Sequence, residues 1–205
     1  MGRMPVLVTA LLLLVGPVQS TGQTVHDGVE AALGLAATRD SGVEVRVWVG
    51  GSLRVSTLFR LVRMGTGVSA ERIAWTRVVH PAPGEYSQAD ARRETQSNRR
   101  FLEKERCGGP VKTSKDFLWC KVVIRVNQDW SDTFDDLLLD QLWALPPQGA
   151  SACRSTVVVD GEAVGIDVLE RGRRVSVEYW NPDSCCRTVA CAIANHVRSV
   201  VQHVY

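Results

Sequence analysis

The sequence predicts an α+β fold, an antiparallel sheet built from hairpins and packed by a central helix and a C-terminal helix. Three observations carry this. Apolar and polar residues alternate at period two in several short segments, the mark of strands with one buried face. Those segments follow one another across tight turns rather than alternating singly with helices, which argues against a doubly wound parallel sheet. Two later stretches, 131–145 and 183–203, carry apolar residues at helical spacing instead.

Taken in order, 24–37 has a weak helical pattern in which Val29, Ala32, Leu33 and Ala36 share a face, weakened by Gly28 and Gly34. In 43–49, Val43, Val45, Val47 and Val49 point one way and Glu44, Arg46 and Trp48 the other. The alternation continues over 53–64, breaks at Gly65-Thr66-Gly67, and resumes over 68–79, giving a three-stranded meander. Residues 81–115 are rich in proline, glycine and charge, and short of large apolar side chains. They predict a polar surface excursion holding at most a solvated helix. A strand is expected over 117–126. The helix after it is capped by Ser131 or Asp132, with Asp135 and Asp136 near its positive end. Its stripe is Phe134, Leu137, Leu138, Leu142 and Leu145, and Pro146-Pro147 stop it. Asp160-Gly161 then predicts a hairpin joining 156–159 to 163–169, and Arg171-Gly172 a second turn into 174–180. The last helix, 183–203, is expected to face the sheet with Val189, Ile193, Val197, Val200 and Val204.

Residues 1–20 read as a secretory signal. Arg3 precedes an apolar run over 6–15, Gly16 and Pro17 break it, and Val18 and Ser20 suit cleavage after Ser20. The run is too short for a bilayer, which takes roughly 20 apolar residues. Asn195, His196, Arg198 and His203 interrupt the Val- and Ala-rich C-terminus. The expectation is a single domain over 21–205, secreted or periplasmic, with no stable membrane insertion once the signal is removed. Arginine dominates the cations, a balance that suits a GC-rich bacterial genome. There are 24 Lys and Arg against 22 Asp and Glu. Such a near-neutral balance does not suggest a nucleic-acid partner.

Six cysteines, Cys107, Cys120, Cys153, Cys185, Cys186 and Cys191, follow the signal. An even number bound for an oxidising compartment predicts disulfides. Cys107 and Cys120 flank one polar loop and are expected to pair, a closure contributing about 3 kcal/mol. Cys153 is expected to reach Cys185 or Cys186, with Cys191 taking the other. A metal site is not expected. Cys185, Cys186, Cys191 and His196 lie close in sequence, but no C-x-x-C occurs. Cys191 and His196 would also diverge by about 140° on a helix. No cofactor is implied.

Catalytic constellations are sparse. No G-x-S-x-G is present. The weak candidates are His80, at a strand end, and the carboxylates Glu162 and Glu178, which could face each other across strands as in a glycosidase. Trp48 and Trp180 fall out of phase with the aliphatic sets of their strands, near Arg46 and Arg174. Exposed, these four would suit recognition of a glycan or a protein; covered by a helix, they would form a second core. The expectation leans away from an enzyme and toward an exported interaction protein binding another envelope protein or a glycan. The rival is a secreted hydrolase using His80, Glu162 and Glu178.

Overall fold

The period-two segments join into one seven-stranded antiparallel sheet, in a computed structural model that describes residues 27–51, 55–81, 84, 87–124, 130–137, 139–146, 162–180 and 189–202. The expected leader, Cys153, Cys185, Cys186, His203 and the 156–159 segment lie outside those residues. The strands are β1 (Val43–Gly51), β2 (Ser56–Met64), β3 (Gly67–Arg77), β4 (Lys112–Thr113), β5 (Phe117–Val123), β6 (Glu162–Glu170) and β7 (Arg173–Trp180), in spatial order β4-β5-β3-β2-β1-β6-β7. The helices are α1 (Asp27–Leu33), α2 (Gln88–Phe101), α3 (Trp130–Asp136), α4 (Leu139–Trp143) and α5 (Val189–Gln202).

The meander is as expected, and Met64 pairs with Gly67 across a two-residue turn in which Gly65 takes φ +58°. Such a turn needs left-handed backbone. The second hairpin differs from expectation. Both edges of β6 are taken, one by β1 and the other by β7, so the expected pairing of 163–169 with 156–159 is replaced by a long-range one. Sequence periodicity reports that a strand is half-buried, not which strand lies beside it.

One face of the sheet carries the main core. Val43, Val45, Val47, Phe59, Leu61, Val164, Ile166, Val168 and Val177 meet Phe134, Leu137, Leu142 and Leu145 from α3 and α4 and Ala194, Val197 and Val201 from α5. The expected central helix is two short helices broken around Leu137, yet the described members of its stripe are all buried. α5 faces the sheet as expected with Ile193, Val197 and Val200, turned enough that Val189 falls outside the contact. Val189 is 77% exposed, while Cys191 and Ala194 face inward, where small side chains let the helix approach the strands. His196 Nε2 donates to the Asp136 carbonyl at 2.8 Å, tying α5 to α3.

The polar excursion folds onto the far end of that same face. Ser87 caps α2, its Oγ accepting from the Asp90 amide at 3.1 Å. α2 runs on as a π-helical turn over Leu102–Cys107 and ends at Gly108. Leu102 and Val111 pack on Ala74, Leu118 and Cys120, and the expected Cys107–Cys120 disulfide closes the cluster. Cys191 is also disulfide-bonded. No helix among the described residues is long and apolar enough to cross a membrane.

Replacing Cys107 and Cys120 together by Ala is expected to cost about 3 kcal/mol in a urea unfolding curve. A cost under about 0.5 kcal/mol would mean that packing around Leu102 and Leu118 alone anchors α2.

Candidate functional site

The opposite face of the sheet is charged where a strand face would ordinarily be wet, yet it is buried. Glu71, Arg60, Arg46 and Asp167 stand opposite one another across β3, β2, β1 and β6. Glu44 lies one row away. Over them lies α1, whose Val29 and Leu33 join Trp48, Leu58, Ile73 and Trp75 in a second hydrophobic cluster.

Arg46 is fully buried and all three of its guanidinium nitrogens are used. Nε donates to Glu44 at 2.7 Å, Nη1 to Glu30 at 2.9 Å and Nη2 to the Ala36 carbonyl at 2.5 Å. Arg174 grips the Glu30 carboxylate with both Nη atoms, at 2.9 and 2.7 Å, and reaches Asp167 at 3.1 Å. Asp167 in turn accepts from Trp48 Nε1 at 2.5 Å. Glu44 accepts from Arg46, from two nitrogens of Arg60 and from Arg39. Arg60 passes on to Glu71, which also meets Lys121. Opposite charges thus alternate in an unbroken chain from Lys121 to Asp167.

Burial alone would push the Glu44 carboxyl pKa up. The hydrogen bond from Arg60 and the charges of Arg46 and Arg60 outweigh it, and the pKa falls to about 2.

These contacts correct the expected binding surface. Trp48 is 2% exposed and Arg46 is not exposed at all, so neither can meet a glycan or a partner. The reason is α1: its Glu30 completes a set of partners that makes burying Arg46 tolerable. Arg174 belongs to the same cluster, and the side chain of Trp180 lies outside the described residues. The alternating Glu44-x-Arg46-x-Trp48 pattern marks a polar strand face, but it does not reveal that Glu30 and Ala36 reach across to it.

The candidate catalytic residues are not brought together. His80 follows β3 and pairs with Asp116 in a half-exposed contact, Nε2 to Oδ1 3.2 Å. Glu178 is on β7, four strand spacings from β3, roughly 19 Å. On neighbouring β6, Gly165 stands opposite Glu178, and position 162 is three residues further along. Among the described residues, no three His, Cys, Asp or Glu side chains gather as a metal site would need, and the Cys191 thiol is committed to a disulfide.

A concave site does form elsewhere. Between α2 and the extended segment after β3 lies a groove of about 350 Å³. Val78, Val79, Pro81 and Ala91 supply apolar lining, and Gln88, Arg92, Thr95, Gln96 and Arg99 the polar part. The α2 positions form one helical stripe. Thr95 Oγ1 accepts from the Val79 amide at 3.1 Å, fixing the helix against the segment. Arg99 is spent on the Val111 carbonyl and the Thr113 hydroxyl. Sequence reasoning missed this groove. Its one signal is the pair of smaller residues, Ala91 and Thr95, four apart and so on one face of an otherwise largely polar helix.

The sign of the Glu44 shift sets a pH dependence. With the folded-state pKa depressed, its stabilisation is complete above about pH 4.5 and is lost as pH falls toward 2. Glu44→Gln is expected to flatten the stability profile across that interval, measured by urea unfolding at stepped pH. An unchanged slope would remove Glu44 as a source of acid sensitivity.

Comparison with protein-family models, with curated proteins and with solved structures returns no match, so geometry alone bears on function.

Proposed function

We propose that this chain is a non-enzymatic interaction protein of an oxidising compartment, secreted or periplasmic, and that it meets a protein partner through α2 and the groove beneath it. The groove is the observation that carries this reading. The charge distribution supports it. Between residues 87 and 121 there are nine Lys and Arg against five Asp and Glu, an excess of four. The whole chain has an excess of two, which leaves the remainder net negative by two. Arg92, Arg93, Arg100, Lys104, Arg106, Lys112 and Lys115 are all exposed. A surface polarised in this way steers an acidic partner toward one end of the molecule.

A protein partner is favoured over a glycan because Trp48, one of the two tryptophans expected to serve as a stacking platform, is buried. Trp119 is half-buried, with the Lys112 ammonium 4.8 Å from its ring centre. A hydrolase would need His80, Glu162 and Glu178 to converge, and the strand order works against that. The disulfides suit an oxidising destination.

A photo-cross-linking residue at Gln96 tests the reading in the native exported fraction, with one at the outward-facing Val189 as control. The expected result is a discrete adduct from position 96 only, with the cross-linked peptide acidic and the yield falling as salt rises. Equal labelling from both positions, or a neutral and salt-insensitive partner segment, would count against it.

A further inference from the structure

We infer that the α2 groove is built for a short extended peptide segment in which an apolar side chain lies beside a carboxylate. This rests on the reading of α2 as the partner-binding element and specifies its ligand.

The groove offers three kinds of contact in a fixed order. Val78, Pro81 and Ala91 form an apolar floor where one side chain can leave water. Gln88 and Gln96 stand on the α2 wall eight residues apart, about 12 Å along the helix. An extended chain covers that distance in roughly four residues. A primary amide both donates and accepts, so each glutamine can satisfy a peptide N–H or C=O. Arg92 sits midway between them.

Among the described residues neither Arg92 nor Arg100, further along α2, has a hydrogen bond or ion pair, and of the two only Arg92 lines the groove, whereas Arg93 and Arg99 are committed. Arg93 pairs with Asp90 at 2.7 Å, and Arg99 is held by Val111 and Thr113. A guanidinium next to an apolar floor selects a carboxylate, which it can grip with two parallel hydrogen bonds. At about 350 Å³ the cleft lies near the small end of the range for ligand sites, which suits a few residues rather than a long chain of sugars.

The test uses the full mature chain with its disulfides intact and the probe N-acetyl-leucyl-glutamyl-alanine amide, followed by amide NMR shifts. Val78, Val79, Ala91, Arg92 and Gln96 are expected to move together. The isosteric glutaminyl probe, or the Arg92→Gln variant with the original probe, is expected to bind about tenfold more weakly. Ala91→Trp, which fills the floor, is expected to abolish the shifts, with the rest of the spectrum confirming the fold. Equal affinity for the two probes would overturn the inference. So would shifts confined to other surfaces, or sodium octanoate binding where the peptide does not. If the position-96 cross-link to an acidic partner persists while the groove amides stay still, the partner docks on the outer basic face. In that case this inference fails, and of the proposed function the groove is lost while α2 remains the partner-binding element; if both signals are absent, both fail.

Discussion

Among the described residues Arg46 is the largest side chain withdrawn completely from water, and the second face of the sheet is organised around it. Placing an unpaired guanidinium there would cost several kcal/mol. Here Glu44 on the same strand and Glu30 on α1 supply the counter-charge, and the Ala36 carbonyl takes the remaining direction. The arrangement also works in reverse. α1 has seven residues, too few to be helical by itself in water. It is held where it is by Val29 in the second apolar cluster and by Glu30 between two arginines. Replacing such a network by apolar groups can be neutral for stability, whereas removing one partner is not. Its role is then to specify where α1 sits, and with it which face of the sheet is closed.

That closure bears on function. A sheet with Trp48, Arg46 and Arg174 on an open face would be a recognition surface; with α1 in place, Trp48 and Arg46 are interior. What α1 closes at one end, α2 leaves available at the other. α2 is almost wholly polar, and it is the π-helical turn after it that meets the sheet, through Leu102 and the Cys107–Cys120 disulfide. Thr95 ties α2 to the 78–81 segment, and beside that bond a cleft remains whose central arginine has no partner among the described residues. The positive excess of the 87–121 stretch places favourable charge at the same end.

Much of the fold was legible because it depends on local periodicity. The valine alternation of 43–49 and the Gly65 turn act within a few residues and took the form expected of them, and Leu142 and Leu145 are buried as expected although the helix ends at Trp143. What was not legible depends on partners distant in sequence. The turn signals around β6 mark a strand, but not that β1, more than a hundred residues earlier, lies beside it or that residues 164–169 are buried on both faces. Helical spacing is right for α5, but it cannot tell that Cys191 and Ala194, rather than Val189, turn inward, because the larger side chain is not always the one that fits. The alternation leaves Arg46 and Trp48 open to two readings, an exposed recognition face or a second core under a helix, because charge and indole nitrogen normally seek water. They are buried because Glu30 and Asp167, at separations of 16 and 119 residues, satisfy them. The groove had almost no signature, since it arises from what α2 fails to fill.

The coupling between Glu30 and Arg46 is the most direct measure of whether ionic pairing holds α1 on the sheet. A double-mutant cycle with Glu30→Gln and Arg46→Met, read by urea unfolding and by amide exchange across α1, isolates it. If the network seats the helix, the coupling lies near 2 kcal/mol or above and each single variant speeds exchange in α1 far more than in β2. A coupling near zero, with α1 exchange unchanged, would mean that Val29 and its apolar neighbours hold the helix and that the buried charges merely accompany it.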